Sequence, residues 1–545
     1  MRVRRLALLS AALPFVPARA TAQLPEEVPY TVPEATAWRR TSTCEEVRSF
    51  LTELGRLPHA DRLVVASMGT SHEGRDLPIV LTGVSRPEAA LAGDRVRVLV
   101  NANIHGGEVE GKEAVLILLR EIAGGRHAAL LERVAVVFVP VYNADGNDRI
   151  ARENRVSQNG PDGGVGQRAN AQGLDLNRDF VKAESPECRA LLALLTRWDP
   201  HVFLDLHTTN GSRHGYHLTY APSLSTGIDP ALDAFGRDEL LPAVRTAMLD
   251  GAGFRVFDYG NFTRGGVRQW VTYDHRPRFG TNYVGLRNRI GLLSEAYSYL
   301  PFRERVEVTR SFVLEVLRAV AERSGRLRSA CAAADARVEA GAGVELGLDG
   351  VLAEGSAGPV LVGSVREVEL EGLGVRRVAE PAWHPEEMVV RDRFAASTTR
   401  SLPVAWAIPE PDDGLRETLR HHGLWLVELT APATARVEAF APTVVRRARR
   451  EFQGHHEITL EGGWSAEDRT LPVGTLVVSA RQPLGRLAAW LLEPESADSL
   501  STWNLMEGGT RAAEGAERGC YPVLRVLEEV ELQCVRVPAY GTPGY

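Results

Sequence analysis

The sequence is short of the features that mark several protein classes. Only five cysteines occur in 545 residues: Cys44, Cys188, Cys331, Cys520 and Cys534. None form a Cys-x-x-Cys pair, so the chain offers neither a cysteine zinc site nor a dithiol redox motif. Cys520 and Cys534 could bridge in an oxidising compartment, but the odd count leaves one thiol over. Basic excess is also missing. The formal net charge is −7, with no stripe able to neutralise phosphates, which argues against a nucleic-acid partner. No long uncharged apolar run follows residue 22, so no membrane span is expected. Internal repeats and low-complexity tracts are absent as well, which excludes solenoids and biased-composition tails.

What is present is ordinary globular composition, 44% hydrophobic and 24% charged, in a chain longer than one compact core needs, so two or more domains are expected. The N-terminus carries Arg2, Arg4 and Arg5, then the apolar run Leu6 to Val16, then small residues ending Ala18-Arg19-Ala20-Thr21-Ala22. This order reads as a secretory signal peptide over residues 1–22, cleaved after Ala22 or Ala20. The apolar run of about eleven residues is well short of the ~20 that span a bilayer. A secreted or periplasmic location follows, with residues 23–45 as a linker and no evident inhibitory prosegment.

From about residue 96 strand and helix patterns alternate, the signature of a sheet covered on both faces. Val96 to Ile104 is an apolar strand ending at His105-Gly106-Gly107, and Gly111 to Ala123 is a helix with a wide apolar middle. Val134 to Val141 is a strand closed by the turn cluster Tyr142 to Gly146. A polar, glycine-rich stretch from Asn147 to Gly173 follows, and a loop of that length inside a compact domain is usually functional. Ser185-Pro186 caps a helix that runs to Trp198. His201 to His207 and Arg289 to Glu295 are further strands, and Arg303 to about Ala334 is a long helix or helix pair. Beyond about residue 336, short Val/Leu alternations (Val338 to Val351, Val360 to Val375, Leu471 to Ser479) indicate a β-rich region, with a helical run introduced by Gln482-Pro483-Leu484 and ending at Leu492. The expected architecture is α/β: a mixed, largely parallel sheet with helices on both faces over residues 46–335, plus a C-terminal β-rich accessory domain over 336–545.

Four ionisable groups stand at the ends of apolar strands: His105 with Glu108, His207, and Glu295. In open α/β sheets ligands bind beyond the carboxyl ends of strands, so these groups would converge on one rim. Two histidines and a carboxylate suit a catalytic zinc with an open position for water. Zinc lowers the pKa of bound water from about 15.7 to about 7, roughly 12 kcal/mol of hydroxide stabilisation. The geometric condition is strict: metal bonds of about 2 Å require the imidazole nitrogens of His105 and His207 to lie within ~5 Å of each other. His-x-x-Glu alone is weak, and the chain holds a second copy, His384-Pro385-Glu386-Glu387, with no partner histidine at a strand end. His214 and His217, in a loop after Gly211-Ser212-Arg213, are alternative ligands.

The ordered set Asn103-Ile104-His105-Gly106-Gly107-Glu108, Asp175-Leu176-Asn177-Arg178, Asp205-Leu206-His207 and a strand-end Glu295 resembles the zinc carboxypeptidase family over roughly residues 46 to 325. The resemblance implies one zinc ion held by His105, Glu108 and His207, and Glu295 as general base. It implies Asn177 and Arg178 as the clamp on the C-terminal carboxylate of a peptide substrate, Arg152 as the oxyanion-stabilising arginine with Arg155 its competitor, and Asp175 as the carboxylate orienting His105. Two positions depart from the family pattern. Gly107 stands where many members carry arginine, and the mobile substrate-covering tyrosine has two candidates, Tyr273 and Tyr283. The implied activity is hydrolysis of C-terminal peptide bonds. Zinc-dependent amide hydrolysis of a cell-wall peptide or an N-acyl amino acid, or binding without catalysis, are the readings to separate from it.

Overall fold

The computed structural model describes residues 28–84, 93–209, 211–341, 344–506 and 521–540. The signal-peptide segment 1–22 and Cys520 lie outside the described residues. Within them no helix is long and apolar enough to cross a membrane.

Ten strands precede the C-terminal region: β1 (Leu63–Thr70), β2 (Asp76–Thr82), β3 (Val96–Ala102), β4 (Val134–Val139), β5 (Val202–Thr208), β6 (Leu218–Pro222), β7 (Val256–Asp258), β8 (Asn261–Phe262), β9 (Gln269–Val271) and β10 (Ile290–Ala296). Eight of them form one sheet in the order β1-β2-β4-β3-β5-β10-β6-β7. The central run β4-β3-β5-β10 is parallel, while β1-β2, β2-β4 and β10-β6 pair antiparallel, so the sheet is mixed. Side chains of a strand alternate between faces, and β3 shows it. Val98 and Val100 enter the core formed with helices Cys44–Leu54, Glu110–Ala123 and Phe302–Glu322. Leu99 enters the opposite core, formed with helices Pro186–Trp198 and Gly280–Leu286. Such burial on both faces is why β3, β4 and β5 read as near-continuous apolar runs.

The helix boundaries follow local chemistry. Ser185 accepts a hydrogen bond from Cys188 N and Pro186 opens the helix, which ends at Asp199 with φ +43. The pair Phe302–Glu322 and Ser324–Ala340 extends six residues past the expected Ala334, so the alternation at Val338 is helical there and not strand. The 335/336 boundary thus falls inside a helix. Residues 41–44, assigned to a linker, are fastened to the sheet's first covering helix: Thr41 Oγ1 and Ser42 Oγ donate to buried Glu113 at 2.7 and 2.9 Å.

The C-terminal region is β-rich. Strand β11 (Glu345–Leu352) pairs in a two-stranded sheet, a long hairpin, β12 (Ser356–Leu370) with β13 (Gly374–Arg391), joins β9 and β8 in a four-stranded sheet, and a seven-stranded sheet follows. Its aromatic residues Trp406, Trp490 and Trp503 share one buried cluster with Leu99, Phe203 and Tyr283. The two parts are therefore packed through a common apolar core.

Candidate metal centre

β3, β5 and β10 run parallel, so their carboxyl ends share one rim. Three residues after β3 ends at Ala102, His105 begins a tight turn in which Glu108 N donates to His105 O at 2.9 Å. Asn103, with φ +62, braces this turn by directing its amide at the carbonyls of His105, Gly106 and Glu108. On β5, Asp205 and His207 are two apart and so face the same side. On β10, Glu295 is in register with His207.

The three expected ligands meet. His105 Nδ1 lies 3.0 Å from Glu108 Oε1 and His207 Nδ1 lies 3.0 Å from Glu108 Oε2. All three are buried, and their ligand atoms lie within 4.8 Å of one another, which meets the ~5 Å condition for a shared metal. The outward nitrogens are also held. His105 Nε2 is 3.0 Å from Asp175 Oδ1, and His207 Nε2 is 2.8 Å from Asp205 Oδ2. Each carboxylate draws the proton to Nε2 and leaves the Nδ1 lone pair for a cation. The donor set, the burial and the matched tautomers fit a zinc ion. Asp205 was not singled out for a role in the sequence, although its two-residue spacing from His207 is the available signal.

Electrostatics follow the same plan. Burial opposes ionisation of Glu108, but His105, Arg155 and His207 outweigh it and hold the carboxyl well below the usual range. Burial likewise opposes charge on His207, yet Asp205 and Glu108 raise its pKa. Burial and the nearby Glu108 carboxylate push Glu295 up to about 8 against the attraction of His207, Arg155 and Arg168.

Arg152 is not brought to the centre. It is exposed, while Arg155 Nη1 donates to Glu108 Oε1 at 2.9 Å. Arg155 itself adopts a left-handed backbone, with φ +53. At Gly107 a Cβ would sit 2.7 Å from the backbone carbonyl of Gly166 and 2.6 Å from Arg155 Cδ, so the backbone as well as Arg155 closes the space that a side chain there would need. A further arginine, Arg168, to which no motif assigned a role, grips Asp175 Oδ2 through Nε and Nη2 at 3.0 and 2.8 Å.

Asn177 and Arg178 sit beside Asp175 in a single 3-10 turn. Asn177 Oδ1 accepts from Gly280 N at 3.0 Å, which leaves its amide nitrogen available. The Arg178 guanidinium lies 3.9 Å over the Phe279 ring and is largely buried. Of the two tyrosines, Tyr283 is fully buried and bonded to His422, a core residue. Tyr273 bonds Thr281 Oγ1 at 2.7 Å and packs edge-on against Tyr259 and Phe279. His214 and His217 are not ligands. His214 is buried against Tyr297 with its pKa lowered by burial to about 3, and His217 Nδ1 accepts from Arg255 N. The second His-x-x-Glu lies on β13, where His384 and Glu387 are three apart and face opposite sides.

A buried His–Glu–His cluster on the strand-end rim of an α/β sheet, with each histidine backed by an aspartate, has the donor set and supporting carboxylates that suit a zinc ion. Residues 48–225 match the model of the zinc carboxypeptidase family, so this part of the chain is similar to that family. Carboxypeptidase 2 of Trichophyton tonsurans is 22% identical over 476 residues, 84% of this chain and 81% of that protein. Mouse carboxypeptidase D is 34% identical over 160 residues, 24% of this chain and 12% of that protein. Among solved structures, a metallo-carboxypeptidase from Burkholderia cenocepacia is similar at TM-score 0.39 and 19% identity, covering 51% of this chain and 68% of that one.

Proposed function

We propose that the protein is a secreted metallocarboxypeptidase that releases the C-terminal residue of a peptide, with Glu295 as general base and with Asn177 and Arg178 binding the terminal carboxylate. The observation that carries this reading is the register of Glu295 beside His207 on adjacent parallel strands, which sets a carboxylate next to the ligand cluster without making it a ligand. One zinc ion held by His105, Glu108 and His207 would polarise water and the scissile carbonyl. The Glu295 carboxylate has no hydrogen bond among the described residues, so its oxygens are open to take a proton from the attacking water and return it to the leaving amine. Arg155, beside Glu108, is the donor nearest the cluster and would face charge developing on the carbonyl oxygen. Arg178, half shielded on Phe279, offers a planar guanidinium to both oxygens of a free carboxylate. The N-terminal Arg–apolar–small pattern supports secretion.

The test is Glu295→Gln on the purified mature chain. Zinc content stays at about one per molecule while turnover of a peptide with a free C-terminus falls about 10²–10⁴-fold. The same peptide with an amidated C-terminus resists the wild type. Wild-type rates in the variant, or equal cleavage of the amidated peptide, would overturn the assignment.

A further inference from the structure

The C-terminal region reaches the metal centre through a hairpin. Residues 448–457 form a hairpin: Ala448 N donates to Glu457 O at 2.8 Å, and Phe452 and His455 exchange both backbone hydrogen bonds at 2.8 and 3.0 Å. The two residues between them, Gln453 and Gly454, have φ +53 and +80, as a two-residue primed hairpin turn needs. Such turns favour Asn, Asp or Gly at the first position, because their short side chains or lack of Cβ tolerate positive φ. Gln is a poor choice for the turn alone.

Its side chain has another engagement. Gln453 Oε1 accepts a hydrogen bond from Asp175 N at 2.8 Å, across 278 residues of sequence. Asp175 is the carboxylate that meets His105 Nε2. The hairpin itself is moored to the same side of the domain. His455 Nε2 pairs with Glu184 Oε1 at 2.8 Å and its ring lies edge-on to Trp503, while Arg278 Nη1 donates to Glu457 Oε1 at 2.6 Å. Arg278 directly precedes Phe279, the ring under Arg178.

We propose that Gln453 is a positioning residue for the metal centre: through the Asp175 backbone it fixes the carboxylate that orients His105, so that the C-terminal region completes the site and is not an appendage to it. The proposal rests on the reading of His105 as a metal ligand. An asparagine at 453 would suit the turn better but would fall about 1.5 Å short of Asp175 N. A glutamate would keep both reach and acceptor.

This separates a turn-forming role from a positioning role. Zinc affinity is measured on the metal-free full-length protein by competition with a chromophoric chelator, alongside Tm of the metal-free form. Gln453→Asn is expected to keep or raise that Tm while zinc affinity falls about 3–10-fold, below the ~10–100-fold typical of a direct partner of a ligand. Gln453→Glu is expected to hold zinc close to the wild-type level. If Gln453→Asn binds zinc as tightly as the wild type, or if both variants lose affinity equally, the positioning role is overturned and the metal reading stands. A wild type that takes up no zinc overturns both.

Discussion

His105 and His207 each have two nitrogens in use, and the outer one decides what the inner one can do. Asp205 accepts from Asn101 Nδ2 at 2.9 Å on one oxygen and meets His207 Nε2 at 2.8 Å on the other, so its orientation is determined from two sides. Replacing it with asparagine preserves shape and one acceptor but removes the charge that makes the imidazole a better donor to a cation. Zinc affinity of Asp205→Asn should fall about 10–100-fold, with the fold intact by circular dichroism. An unchanged affinity would mean that His207 is oriented by packing alone.

At the scale of elements, the site depends on how closely the helix Glu110–Ala123 lies on β5. Gly111 faces Leu206, and a Cβ there would stand 2.7 Å from Leu206 Cβ and 3.5 Å from Ala102 Cβ. Gly111→Ala would gain helix propensity of about 1 kcal/mol, but overpacking of a fitted core costs about 1–3 kcal/mol. The balance should be a lower Tm, and a Tm at or above wild type would show that the helix can ride outward freely. The same strand-end geometry explains what could be read in advance. His105, Glu108, His207 and Glu295 terminate apolar runs, and a parallel strand whose faces are both buried is conspicuous in sequence. Arg155 was not separable from Arg152, because the two lie three residues apart in a long polar loop whose path no local pattern determines. Gln453 is marked locally only by its poor fit to a positive-φ turn position, and its partner lies 278 residues away, out of reach of any local pattern. The Val338 alternation misled for a related reason: a helix end and a strand start both carry alternating small and apolar residues over so short a window.

Over the whole molecule, the catalytic and C-terminal parts meet through buried polar groups as well as through tryptophans, and these make the assembly sensitive to acid. His422, from the C-terminal region, is fully buried. Its Nδ1 accepts from Tyr283 OH at 2.9 Å and its Nε2 faces Val181 O at 3.0 Å, so both partners belong to the catalytic domain. Burial lowers its pKa to about 3, the Val181 carbonyl opposing and the cations of Arg287 and His421 adding to the effect. The unfolded chain binds this proton near pH 6.5 and the folded one near 3, so above pH 6.5 the group is neutral in both states and contributes no pH dependence. As pH falls below 6.5 only the unfolded state is protonated, and stability is lost progressively until about pH 3. At pH 5 the loss from this one residue is about 2 kcal/mol. His422→Gln, which can still accept from Tyr283 and donate to Val181, removes the titration. Its stability deficit relative to wild type, measured by urea unfolding, should therefore narrow by about 2 kcal/mol between pH 7 and pH 5. A deficit that stays constant across that interval would show that the interface admits the proton without separating.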